Sequence, residues 1–160
     1  MSDSTLYDDD ILLWSEQQAA AIRKLGKTVR NLPNELDIEN VAEEIESVGR
    51  SELAIVESYI ELIFLHLMKL LVEADSQAAR HWRGELVGFH SRMVRRYAPS
   101  MRQRIDVDAI WRTAREQLMI AYDGAQQQIV ADLPAQCPFS IDDFIAEHID
   151  GGVLLERLRR

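Results

Sequence analysis

Residues 37–73 read DIENVAEEIESVGRSELAIVESYIELIFLHLMKLLVE, and this stretch decides the fold. Ile38, Val41, Ile45 and Val48 recur at spacings of three and four, and beyond Gly49 the stripe resumes as Leu53, Val56, Ile60, Ile63, Leu67 and Leu70. That period belongs to a helix; a strand would alternate. Asp37 stands where an N-cap is needed, with Glu39 in the first turn. A second stripe, Ile55, Tyr59 and Leu62, runs beside the first. The first half of the helix is therefore apolar on one face and acidic elsewhere. The second half is apolar on two faces, which predicts Tyr59–Val72 as the central buried element. Glu61, His66 and Lys69 interrupt that run, so it falls short of the ~20 mostly apolar residues of a membrane span.

The flanking segments read the same way. Ile11, Trp14, Gln18, Ala21 and Leu25 make one face of a helix over about 8–29, with Asp8, Asp9 and Asp10 at its start, Gly26 as a first stop and Pro33 as a firmer one. Trp82, Leu86, Phe89, Met93 and Tyr97 predict a third helix between Ser76 and Tyr97, ended by Pro99. Gly84 and Gly88 inside it cost about 1 kcal/mol each relative to Ala, and close approach of another helix is the preferred reason for them. A short turn at Pro99–Gln103 precedes a fourth helix over 106–132, on Val107, Trp111, Ala114, Leu118, Ala121, Ala125 and Ile129. Leu133–Pro138 is a loop; Ser140 caps a helix over 141–149, Gly151-Gly152 stops it, and Val153–Arg159 adds a last amphipathic turn. No run alternates as a strand. The expectation is an all-α bundle of four main helices with a short C-terminal helical cap, one domain over 1–160.

The 160 residues are 47% hydrophobic and 28% charged, a globular composition. One cysteine makes no internal disulfide, and no secretory leader pattern opens the chain, so cytoplasm is the expectation. A net charge of −9 argues against a general binder of nucleic acid or anionic membrane. The charge is uneven: residues 1–75 hold 16 acids and 6 bases, while Arg80–Arg115 holds nine Arg against Glu85, Asp106 and Asp108. Neutralisation against the acidic first half is preferred over a polyanion surface, because complementary halves of a small protein usually meet.

The densest chemistry is Glu39, Glu43, Glu44, Glu46, Arg50 and Glu52. Glu39, Glu43 and Glu46, spaced four and three, share one helix side, where a hard cation such as Mg²⁺ would relieve their repulsion. A solvated face, or one that meets arginines, is the more ordinary reading. The Glu-x-x-His pairs of di-iron bundles, the second acidic pair of helical pyrophosphohydrolases, His-Glu-x-x-His, Walker A and Gly-x-Ser-x-Gly are all absent. His66 and Lys69 extend the Ile55, Tyr59, Leu62 stripe and so point into something. A histidine bonded to a neighbour and a lysine reaching solvent is the common outcome. Trp82 and Trp111 read as core, and Cys137 as an inert thiol.

Tyr7-Asp8-Asp9-Asp10 followed by Trp14 and Gln18-Ala19-Ala20, the run Asp37 to Glu52, His66-Leu67-Met68-Lys69, Trp82, Pro99-Ser100 and Cys137-Pro138-Phe139 form a recognisable series. The chain resembles the bacterial family called domain of unknown function twenty-nine over nearly its whole length, with the acidic run its most specific part. The resemblance implies a small, helical, stand-alone bacterial protein without an assigned activity, so no catalytic residue is carried over. Gly26–Pro33 and Gly84 with Gly88 depart from the family pattern.

The candidate functional positions are then Glu39, Glu43, Glu46, Arg50, His66, Lys69 and Trp82, with Glu39, Glu43 and Glu46 as the metal candidates and no cofactor expected beyond that Mg²⁺. The leading expectation is a protein-interaction module rather than an enzyme. The rivals are a divalent-metal-dependent enzyme with His66 or Lys69 as acid–base partner, and an anion or nucleic-acid binder through residues 80–115. A straight helix from Asp37 to Glu73 is about 55 Å long, against a diameter near 40 Å for a compact chain of this size. The overhang predicts either a break at Gly49 or a homodimer across the Ile38, Val41, Ile45, Val48 stripe.

Overall fold

A computed structural model describes residues 5–160, and among them there is no strand. The chain is an all-α helical bundle. In order, the helices are α1 (Leu6–Asp9), α2 (Ile11–Thr28), α3 (Ile38–Val72), α4 (Ala79–Arg96), a 3₁₀ turn (Pro99–Gln103), α5 (Val107–Ala121), α6 (Gly124–Ala131), α7 (Asp142–Ile145) and α8 (Gly151–Leu158). The residue contacts gather into two compact units. The first is the chain up to Ile55 with Tyr97–Arg104; the second is Val56–Arg96 with Ile105–Arg160. α3 contributes its first part to one and its second part to the other.

In the first unit, Asp10 is the hinge of the local design. It ends α1 and caps α2, accepting the Leu13 N–H at 3.0 Å. α2 then buries Leu12, Ser15 and Ala19, one position round from the expected face of Ile11, Trp14, Gln18 and Ala21. Trp14 is half-buried and packs edge-on to Tyr7 instead. The reason is the shape of the facing helix. α3 runs unbroken through Gly49, and a Cβ at that residue would lie 2.1 Å from Ser15 Oγ and 3.0 Å from Leu12 Cα. Gly49 does not break the helix; it is the notch into which α2 fits. The buried side of this part of α3 is accordingly Ala42 and Gly49, with Ile38 and Ile45 half-buried, while Val41 and Val48 of the expected stripe are exposed. A seam of small residues lets two helices approach closely but leaves little hydrophobic signal in sequence. Gly26 does not stop α2, which continues to Thr28.

The second unit holds the large core. Val56, Ile60, Ile63, Leu67 and Leu70 of the first stripe of α3 are buried, and Phe64 and Met68 are buried beside them, whereas Ile55, Tyr59 and Leu62 of the expected second stripe are only half-buried. Phe64 meets Trp111 edge-on at 5.3 Å and Phe144 at 5.4 Å, with Phe139 completing the cluster. Trp111 is fully buried, and its indole N–H donates to the Pro134 carbonyl at 2.9 Å, so its polar edge is satisfied. α4 buries Ala79, Leu86, His90 and Met93; Trp82 and Phe89 of the expected face are half-buried.

The expected fourth helix is two. α5 stops at Ala121, Tyr122 is extended, and Gly124 adopts φ +52°, a left-handed conformation that favours glycine. The break turns α6 so that Val130 is buried while Ala125 and Ile129 are not. Gln127 donates to the Met119 carbonyl at 2.8 Å, one of the acceptors freed at the end of α5. Gly151-Gly152 also reverses its expected role. Asp150 accepts the N–H groups of Gly152 and Val153 at 3.0 and 3.1 Å, so the pair begins α8. α7 ends at Ile145 rather than 149, and Leu154, Leu155 and Leu158 anchor α8.

Candidate functional site

The candidate positions fall into two clusters, one in each unit. In the first, Glu39, Glu43 and Glu46 do share one side of α3, and Arg23 of α2 lies against them. Its Nε donates to Glu39 at 2.9 Å, its Nη2 to Glu46 at 3.0 Å, and Glu43 is 3.6 Å away. The hydrogen bonds to Glu39 and Glu46 hold the Arg23 guanidinium above its ordinary pKa. Arg50 donates to Glu43 and stands 3.8 Å from Glu46. Two guanidinium groups thus serve three carboxylates, and Arg23 occupies the space between the acids where a cation would be held. Among the described residues no group of three or more His, Cys, Asp or Glu is placed to hold a metal ion. Sequence reading missed Arg23 because its partners are 16 to 23 residues away on another helix.

In the second unit, His66, Lys69 and Trp82 are brought together by a residue the sequence did not single out, Glu85. The buried His66 ring places Nδ1 against the Leu62 carbonyl and Nε2 against Glu85 Oε2, each at 2.8 Å. His81, one turn before Glu85 and largely exposed, places Nε2 3.3 Å from Glu85 Oε1. The His66 hydrogen bond, with the nearby charges of His81 and Lys69, holds the Glu85 carboxyl below the ordinary carboxylate value. Lys69 Nζ lies 5.8 Å over the Trp82 ring, a cation–π contact. Phe89 closes the edge of His66 at 5.0 Å. Both nitrogens of His66 are thus engaged by partners within the second unit. The i, i+4 spacing of His81 and Glu85 was a readable signal; the longer link to His66 was not.

The arginines divide. Arg104 reaches Glu16 at 2.7 Å, the expected neutralisation by the acidic first half. Arg115 donates to the carbonyls of Ala131 and Val130 at 3.1 and 3.4 Å, covering the end of α6. Arg80, Arg83, Arg92 and Arg95 are exposed on α4. Between them lie Gly84 and Gly88, and here the expected close packing is not found. A Cβ at Gly84 would meet nothing within 4 Å, and one at Gly88 only the neighbouring Arg92 Nη1 at 3.9 Å. The outward face of α4 is therefore bare backbone edged by guanidinium groups. Cys137 is unremarkable chemically: burial pushes its thiol up to about 11, far from thiolate formation at neutral pH.

A family model described as "Domain of unknown function DUF29" matches residues 6–149. The crystal structure of an α-helical protein of unknown function from Rhodospirillum rubrum superposes with a TM-score of 0.86 at 33% sequence identity, covering 98% of this chain and 99% of that one. No curated protein sequence matches the chain significantly. No described helix is long and apolar enough to cross a membrane.

Proposed function

This chain belongs to the DUF29 family, and from that premise we propose that it is a protein-interaction module whose docking surface is the outward face of α4, with an acidic helical segment as its partner. One observation carries the reading. Glycine in an exposed helix interior costs about 1 kcal/mol relative to alanine, and α4 has two, Gly84 and Gly88, that nothing in the second unit requires. Bare backbone of that kind permits another helix to come close. Arg80, Arg92 and Arg95 beside it favour an acidic partner and disfavour pairing with the same face of a second copy. The setting we propose is the bacterial cytoplasm, in keeping with one free cysteine.

The test compares the wild-type chain with Gly84→Leu/Gly88→Leu and Arg80→Glu/Arg92→Glu, each immobilised and exposed to lysate of its native cells. An acidic protein retained by the wild type, lost from both variants and kept by a Glu44→Lys control is the expected result. Identical retention by all four chains refutes the proposal.

A homodimer through α3 is a second proposal, supported by Val41 and Val48, which are 37% and 44% exposed seven residues apart on one helix side. Light scattering at micromolar concentration should then give twice the 18.4 kDa chain mass, reverting to one chain in Val48→Lys. An 18.4 kDa wild type rejects it.

A further inference from the structure

A cavity of about 360 Å³ lies among α3, α4 and α8 in the second unit, a volume typical of small-molecule sites. We propose that it binds a monocarboxylate with an unbranched alkyl tail, a medium-chain fatty acid. The floor is made by Leu70, Leu86 and Leu155, all buried, so it rewards an apolar tail that leaves water. The mouth carries the exposed guanidinium groups of Arg83 and Arg159, and neither has an ion pair among the described residues. Glu156 also lines the cavity. Two cations against one carboxylate leave a single positive charge, which matches a monoanion better than a phosphate. A planar guanidinium also meets a carboxylate through two parallel hydrogen bonds.

The glycines of the wall support the same reading. A Cβ at Gly151 would touch only the Leu86 methyl groups, at 3.7 and 3.9 Å, ordinary contact distances. Packing within the chain does not call for glycine there. Both glycines line the cavity, where a side chain would take up its space; at Gly152 a Cβ would also lie 3.2 Å from Asp150 Oδ1. The site shares no glycine with the outward face of α4 and stands whether or not that face binds a partner.

The experiment titrates the full chain with decanoate below its micelle concentration, by calorimetry, with decanol and acetate in parallel. Saturable one-to-one binding of decanoate is expected, at least tenfold tighter than decanol, with no binding of acetate. Arg83→Gln/Arg159→Gln, both exposed and safe for folding, should weaken decanoate at least tenfold and leave decanol unchanged. Gly152→Leu, checked by circular dichroism for an intact fold, should block both. No saturable binding by the wild type, equal affinity for decanol, or unchanged decanoate affinity in the double arginine variant would each overturn the proposal.

Discussion

The carboxylate of Asp10 is bonded twice to Ser100, ninety residues further along the chain: it accepts the Ser100 N–H at 2.8 Å and the Ser100 hydroxyl at 2.6 Å. It also caps α2, so one side chain ties the start of that helix to the 3₁₀ turn at Pro99–Gln103. Burial alone would raise its pKa, but the hydrogen bonds from Ser100, Leu13 and Leu12 outweigh that and hold it below the ordinary 3.8.

Replacing Asp10 by Ala should therefore cost about 3 kcal/mol, the sum of a lost cap and lost charge-assisted bonds, seen as a fall in thermal midpoint of roughly 10 °C. The folded-state pKa is depressed, so the contribution is fully present above pH 3.8 and is lost as pH falls from there toward the folded value. The gap between wild type and Asp10→Asn should close over that window in denaturant titrations. A gap that is independent of pH would contradict the ionic account.

Glycines of the two units should respond in opposite directions. Gly49→Ala places a methyl group against Ser15 and the Leu12 backbone and should destabilise by about 1–3 kcal/mol. Gly84→Ala meets open space and should stabilise by about 0.5–1 kcal/mol. Chemical denaturation of the two variants checks both signs at once.

Arg23 decides how the acidic face treats cations. In the wild type, millimolar Mg²⁺ should leave the thermal midpoint unchanged, because a guanidinium already lies among Glu39, Glu43 and Glu46. Arg23→Gln removes that charge, and Mg²⁺ should then raise the midpoint through preferential binding to the folded state. A wild-type shift as large as the variant's would revive the rival reading of Glu39, Glu43 and Glu46 as a metal site.

His90 supplies an acid-side weakness. It is buried and its Nε2 has no hydrogen-bond partner. Burial holds its pKa below 6.5, against the opposing influence of the Phe144 and Ala146 backbone. The unfolded chain thus takes up the proton first, and stability should fall as pH drops from 6.5 toward the folded value, with no effect above it. His90→Gln should flatten that part of the stability–pH curve while leaving the rest in place.

Sequence alone determined the class of fold, the existence and length of α3, the cap at Asp37 and the buried identity of Val56, Ile60, Ile63 and Leu67, because these depend on local propensity and on a strong apolar period. It also assembled Glu39, Glu43 and Glu46 on one side of a helix, since their spacing is a property of the helix itself. Tertiary structure decided everything that depends on what faces what. The notch at Gly49 exists only because Ser15 and Leu12 arrive opposite it. The acidic side is an arginine site only because Arg23 projects from another helix, and Glu85 joins His66 only across two helices. Gly84 and Gly88 look alike with Gly49 in sequence, yet one glycine is covered and two are bare. Period and propensity report the amount of surface a helix must bury; the partner that buries it is chosen by packing between residues far apart in the chain.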